Sequence, residues 1–216
     1  MQRRYRILSG LTCWLLVAII ASGVLVNAHW IKILDQIGYQ LVQPTTSLKT
    51  IIFTEITFWG DPVTMMIVTV GLMLFLWKKH HPTASVWYGM LQFIGYCIVL
   101  LIKYSVMRIR PVHRLINVSG YSFPSGHTFS TTIFTLTVVA ILLPHLKRHW
   151  QKAGLVIIAI LWILTIMVTR VYLRAHFSSD VLAGLFLAVG WWLLANSYRL
   201  TFFHWLWKPI ANQLKK

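Results

Sequence analysis

Three short runs hold the residues best suited to chemistry: Lys103-x6-Arg110-Pro111, Pro124-Ser125-Gly126-His127 and Arg170-x5-His176-x3-Asp180. They gather three cations, two histidines and a carboxylate in a chain with only four acidic residues. Ionisable groups are costly in so apolar a sequence, so their clustering calls for a functional explanation. As a set they can hold a phosphate, attack it and protonate the leaving oxygen.

Each run has its own logic. Lys103 and Arg110 are seven residues apart, about two helical turns, and share a face on a continuous helix. Pro111 then restricts Arg110 and discourages further helix. Taken alone, this pair also fits lysines and arginines snorkelling to lipid headgroups, and Arg108 and Arg114 are read that way. Pro124-Ser125-Gly126 precedes an apolar helix, whose unpaired N-terminal N–H groups and dipole favour an anion. Gly126 allows close backbone approach, Ser125 can cap the helix or donate its hydroxyl, and His127 stands at the mouth of that site. His176 and Asp180 are four apart, so a helical turn brings them together. A carboxylate on one ring nitrogen leaves the other nucleophilic. Arg170 does not share a helical face with His176 and requires a chain break near the end of its own helix to join it. Arg174 has no role from spacing beyond a phosphate or headgroup contact.

These side chains must be positioned by elements that cross a membrane. The 216 residues are 57% hydrophobic and 11% charged, with a mean hydropathy of +0.69, which marks an integral membrane protein. The net charge of +16 lies in short runs between apolar stretches, which fits membrane topology and anionic lipid rather than nucleic acid. Six apolar segments, near 7–27, 56–77, 85–106, 127–144, 153–173 and 180–198, each approach the roughly 20 residues a spanning helix needs. The expected fold is an all-α, six-transmembrane-helix bundle forming one domain over 1–216. The first apolar run exceeds a usual signal core, so a retained anchor is expected. Cys13 and Cys97 fall in separate spans and indicate neither a disulfide framework nor a thiol metal site.

Orientation follows from the cations. With the N-terminus inside, 12 of the 20 basic residues fall on the cytoplasmic side, and six of the other eight belong to Lys103–Arg114 and Arg170–Arg174. The positive-inside rule then puts both termini in the cytoplasm and all three runs at the outer face. Residues 28–44 carry Trp30, Ile33, Leu34, Ile37 and Leu41 at helical spacing, which fits an amphipathic surface helix or a packed loop. Phe202, Phe203, Trp205, Leu206 and Trp207 read as an inner-interface anchor, and the tryptophans near span ends as an aromatic belt.

Three cations can neutralise a phosphoryl group in transfer, His176 can attack it in line, and His127 can protonate the departing oxygen and then activate water. Three of the four carboxylates lie outside the runs, so no cluster suited to a two-metal mechanism is evident, and no cofactor is called for. At these residues the chain resembles the type 2 phosphatidic acid phosphatase superfamily, with its signature K-x6-R-P, P-S-G-H and S-R-x5-H-x3-D. The one departure is Thr169 where serine is commoner. The resemblance implies a metal-independent lipid phosphatase working through a phosphohistidine, with His176 as nucleophile, Asp180 orienting it and His127 as acid. It also implies phosphate contacts from Lys103, Arg110, Ser125, Gly126 and Arg170. The six-span form with Tyr121-Ser122-Phe123 before the second run is similar to the bacterial phosphatidylglycerophosphatase B and undecaprenyl-diphosphate phosphatase type. Expected partners are therefore bilayer lipids and a phosphorylated membrane lipid: undecaprenyl diphosphate, phosphatidylglycerol phosphate or phosphatidic acid. The expected location is a bacterial inner or plasma membrane with an outward-facing site. A lipid phosphotransferase, and a lipid-binding or transport protein, are the alternatives. Oligomeric state is not legible at this level.

Overall fold

The computed structural model describes the backbone of residues 2–213 and the side chains of residues 3–203, and in them the chain forms helices and turns. Eight α-helices follow in order: α1 Gln2–Leu25, α2 His29–Leu41, α3 Ser47–Phe58, α4 Pro62–Lys78, α5 Pro82–Val106, α6 Gly126–Leu142, α7 His149–Tyr172 and α8 Ser178–Gln213. Six stretches are long and apolar enough to cross a membrane: Arg3–Leu25, Ser47–Lys78, Pro82–Val106, Gly126–His145, His149–Tyr172 and Ser178–Phe203.

Local chemistry sets the helix ends. Thr46 caps α3 by accepting the Lys49 N–H at 3.3 Å. Asp61 caps α4, with Oδ1 accepting from Val63 at 2.8 Å and Thr64 at 3.4 Å, and Pro62 occupies the first turn, where its missing N–H costs nothing. Ser125 caps α6 through the Thr128 N–H at 3.4 Å. Met107 ends α5 in a left-handed conformation, its N–H returning to the Lys103 carbonyl.

The second span differs from the single helix expected over 56–77. It is two helices, α3 and α4, separated at Trp59-Gly60-Asp61. The junction is a short dip between apolar stretches, which an average over a span-length window smooths away. Gly60 is needed there, because a Cβ would sit 2.8 Å from Ile166 Cδ1 and 2.9 Å from Thr131 Oγ1. The Thr131 hydroxyl also donates to the Gly60 carbonyl at 3.4 Å.

In the bundle, α1 lies along α8, α4 pairs with α5, and α3 lies on α7. Helix α6 touches α4, α5, α7 and α8. Its buried positions include Thr128, Ser130, Thr131, Thr132, Thr135 and Thr137. Such small side chains allow the close helix approach that replaces hydrophobic drive inside a bilayer. One apolar core joins Leu91, Val99, Phe129, Ile133 and Leu187.

Segment 28–44 is indeed a helix over His29–Leu41, with Ile31 buried and Trp30, Ile33, Ile37 and Leu41 exposed. It is also packed, since Asp35 Oδ1 accepts from the Ser179 N–H at 2.9 Å and hydroxyl at 2.7 Å. The tryptophans divide. Trp30, Trp59, Trp77 and Trp150 are exposed near helix ends, as a belt requires. Trp87 is buried against Phe202 and Phe203 and donates to Asn196, so those two phenylalanines serve packing as well as any interface. The side chains of Trp205, Leu206 and Trp207 lie outside the described residues. Cys13 lies against Gly190 of α8, and Cys97 is exposed on α5.

Candidate active site

All three runs meet at one end of the bundle. Lys103, one turn before the end of α5, donates to the Tyr121 carbonyl at 2.9 Å and the Pro124 carbonyl at 3.1 Å, tying the first run to the second. Arg110, in the loop after α5, donates through Nε to the Gly120 carbonyl at 2.9 Å and through Nη1 to the Ala175 carbonyl at 2.6 Å. The same Nη1 stands 3.3 Å from His176 Nε2, tying the first run to the third. Burial lowers the Arg110 guanidinium from its ordinary pKa, partly offset by Asp180, but an arginine stays protonated at neutral pH.

The second and third runs join through the backbone: the Ser125 N–H donates to the Asp180 carbonyl at 3.0 Å. Gly184 makes this possible, since a Cβ there would lie 2.6 Å from the Ser125 carbonyl oxygen. Ser125 is fully buried, and its hydroxyl serves the α6 cap. Gly126 lets the Tyr96 ring approach closely, since a Cβ there would lie 3.2 Å from it. His127 opens the first turn of α6, within electrostatic range of Lys103, Arg110, Arg170 and His176.

The chain break that Arg170 required is present. Helix α7 stops at Tyr172, Arg174 takes a left-handed conformation, and the Ala175 and His176 N–H groups both return to the Arg170 carbonyl, at 3.1 and 3.2 Å. Arg170 is 1% exposed. Its Nη1 donates to Thr57 at 3.1 Å, while Nε and Nη2 find no acceptor among the described residues. Two buried, unpartnered N–H donors on a cation suit an anion. Thr169 also donates to Thr57, at 3.3 Å, and to the Ile166 carbonyl at 2.7 Å, so the departure from serine keeps a working hydroxyl.

His176 is 3% exposed. Burial, followed by the charges of Arg170, Arg110 and Lys103, holds its imidazole well below the ordinary value of 6.5. It is therefore neutral at physiological pH, with a lone pair available. Its Nδ1 lies 3.6 Å from Asp180 Oδ2, longer than a hydrogen bond. Asp180 is instead held by the Phe177 N–H on Oδ2 at 2.9 Å and by Arg108 on Oδ1 at 2.6 Å.

Three residues have roles that spacing did not suggest. Arg108 was read as a headgroup contact, but it bridges Asp180 at 2.6 Å and Asp35 of α2 at 2.6 Å, and its guanidinium stacks 3.9 Å over Phe177. Arg174 donates to the His113 carbonyl at 3.2 Å and to the Tyr39 hydroxyl, clamping the loop and α2 to the third run. Asp61 places Oδ2 3.4 Å from His127 Nε2. Each contact joins residues far apart in sequence, beyond the reach of any local periodicity.

The site opens into a cavity of about 690 Å³, lined by Arg110, His176, Phe177 and Ser178 and by Asp35 and Tyr39 of α2. A second, apolar groove of about 280 Å³ runs between α2, α7 and α8, past Ile37, Leu41, Leu164, Met167 and Leu182. The two share Val171 and Ser178.

The PAP2 superfamily profile matches residues 84–204, which contain all three runs. A phosphatidylglycerophosphatase B from Bacillus subtilis is 29% identical over 157 residues, covering 68% of this chain and 73% of the relative. One from Haemophilus influenzae is 34% identical over 94 residues, covering 42% of this chain and 38% of the relative. A crystal structure of a transmembrane PAP2-type phosphatidylglycerolphosphate phosphatase from Bacillus subtilis superimposes with a TM-score of 0.75 at 21% identity, over 89% of this chain and 96% of that one. That likeness is one of fold: helices and turns, with six stretches able to span a membrane. The chain therefore belongs to the PAP2 superfamily, as its three runs implied, and is a multi-pass membrane enzyme of the phosphatase class.

Proposed function

We propose that this protein removes phosphate from a membrane lipid phosphate or diphosphate by way of a phosphohistidine on His176. The observation that carries the reading is the buried Arg170, with two N–H groups free of protein partners, beside a neutral His176 whose Nε2 faces Arg110. Phosphate oxygens would satisfy those donors together with Arg110 and Lys103 and the α6 N-terminus at Ser125 and Gly126. Charge developing on the transferred phosphoryl group is then met by fixed cations in a water-poor site.

The steps balance. The Nε2 lone pair of His176 forms the N–P bond as the P–O bond to the lipid breaks. A proton from His127 passes to the departing oxygen, giving a lipid alcohol from a monoester or a lipid monophosphate from a diphosphate. His127, now neutral, takes a proton from water, whose oxygen attacks phosphorus. The N–P bond breaks, and inorganic phosphate leaves with His176 restored. The carboxylates of Asp35, Asp61 and Asp180 are engaged by Arg108, the α4 cap and the histidines, so this route uses no metal.

The apolar groove beyond Val171 and Ser178 supports a lipid over a soluble ester, since it offers hydrocarbon surface contiguous with the phosphate pocket. The names of the relatives favour phosphatidylglycerol phosphate, and the apolar groove suits the long chain of undecaprenyl diphosphate equally, so both stand as candidate substrates. Phosphatidic acid, and transfer of the phosphate to another lipid, are the alternatives. The bacterial relatives support a bacterial inner or plasma membrane location, and the distribution of lysine and arginine supports both termini cytoplasmic with the site facing outward. Residues 1–216 act as one domain in this reading.

A phosphate-release panel tests it. Purified protein is offered undecaprenyl diphosphate, phosphatidylglycerol phosphate, phosphatidic acid and a soluble diphosphate, with and without EDTA. Release from a lipid, unaffected by EDTA, is expected. Turnover confined to the soluble compound, or strong inhibition by EDTA, overturns the reading. External labelling of a cysteine placed at Asn117 in intact cells checks the orientation.

A further inference from the structure

The proposed mechanism gives His127 a proton to deliver, and Lys103, Arg110 and Arg170 all lie within its electrostatic range. Such a neighbourhood of cations leaves the orientation of the ring to any carboxylate within reach. Of the four acidic residues, Asp35 and Asp180 are bound to Arg108, and Glu55 is exposed on α3. Asp61 is the one aimed at His127.

Three constraints aim it. Oδ1 is committed to the α4 cap through Val63 and Thr64, which turns Oδ2 toward α6. Gly60 lies close against Ile166 and Thr131, an approach that a Cβ would hinder, so the backbone before Asp61 sits near α6 and α7. Thr131, one turn after His127 on α6, donates to the Gly60 carbonyl, so the junction and the histidine ride on the same helix. Oδ2 then lies 3.4 Å from His127 Nε2. The groups facing this pair from the surrounding elements are Lys103 and Tyr96 of α5, Arg110 of the loop, Arg170 of α7 and His176.

We propose that Asp61 is a positioning residue for the acid: its Oδ2 holds the Nε2 side of His127, turning Nδ1 toward the leaving oxygen. This rests on His127 being the acid. The break in the second span thereby gains a purpose, because a continuous helix over 47–78 would offer no capping aspartate at this level. The arrangement also reverses the ring edges: Asp180 Oδ2 faces Nδ1 of the nucleophile at 3.6 Å, and Asp61 Oδ2 faces Nε2 of the acid at 3.4 Å.

Leaving-group dependence isolates the effect. An alkyl phosphomonoester, dioctanoyl phosphatidic acid, expels an alkoxide that needs a proton, whereas p-nitrophenyl phosphate expels a phenolate that does not. The quantity measured is kcat/KM, which covers the steps up to leaving-group release and excludes later hydrolysis of the phosphohistidine. Asp61→Asn and Asp61→Ser retain a capping side chain, so α4 keeps its start. Both are expected to lose about tenfold or more on the alkyl ester, as outer partners of active groups do, and only about twofold on the aryl ester. Equal loss on both esters, or none on either, overturns the proposal. His127→Ala is run alongside. If its loss is also equal on both esters, the assignment of His127 as acid fails. If His127→Ala discriminates and the Asp61 variants do not, Asp61 alone fails.

Discussion

The two histidine–carboxylate pairs at the head of the bundle are built in opposite ways. His176 and Asp180 lie four residues apart in one turn, nearly sealed from solvent, with side chains 2% and 0% exposed. Asp61 caps α4 and His127 opens α6, with all of α4, all of α5 and the loop after α5 between them, and they are 36% and 15% exposed. The first pair is local in sequence and rigid through its neighbours, since Arg108 and the Phe177 N–H fix the carboxylate. The second is held by a helix cap and one glycine contact. A nucleophile must keep one trajectory and one protonation state, whereas an acid–base group must exchange protons with substrate and water. The greater exposure of the second pair suits that exchange.

The sharpest contrast between the pairs is chemical. His176→Ala removes the proposed attacking atom, so phosphate release from every ester should vanish, with no phosphoenzyme trapped from labelled substrate. His127→Ala should cost about 10²–10⁴-fold on an alkyl ester while leaving aryl ester turnover measurable; equal abolition by both would erase the distinction. Next in size is Arg108→Ala, which leaves Asp180 buried without its cation and releases Asp35 of α2. Removing one partner of such a buried network costs about 3–5 kcal/mol, read as a fall in the thermal midpoint in detergent. A midpoint unchanged by Arg108→Ala would mean that the first pair does not depend on α2.

Gly60→Ala acts on the second pair alone. Its Cβ would press on the ends of Ile166 and Thr131, a strain of about 1–3 kcal/mol, and should reduce alkyl ester turnover more than aryl. The smallest effect is in pH. Protonation consumes the His176 lone pair, and burial with three cations sets its folded pKa below 6.5. Activity should therefore persist on lowering the pH to 6.5 and decline only beneath it, once corrected for substrate ionisation. A decline already centred above pH 6.5 would contradict a sealed nucleophile.

How much of this was legible beforehand follows from the range of each interaction. Spans and caps depend on neighbours a few residues away, so five of the six spans lie close to their expected limits and Ser125 caps α6. The turn between Arg170 and His176 could be required, because spacing alone ruled out one helical face. The split between α3 and α4 escapes a span-length hydropathy average, because Trp59-Gly60-Asp61-Pro62 is a dip of only four residues. A capping Asp followed by Pro is the signal that marks it. Arg108 was misread because an arginine near a span end looks alike whether it faces headgroups or two carboxylates.

What the sequence determined by itself was the membrane class, the helix content, the family and the inventory of cations, histidines and carboxylates to which we assign the proposed roles. Those rest on residue type and short spacing, which survive without coordinates. Tertiary structure decided which carboxylate serves which histidine, that α2 is tied to the site through Asp35 and Arg108, and that Arg170 keeps two buried donors free. Such pairings depend on how helices far apart along the chain meet in space. In a bilayer, where apolar faces are nearly equivalent to lipid, that meeting is settled by small residues, breaks and polar contacts rather than by hydrophobic pattern.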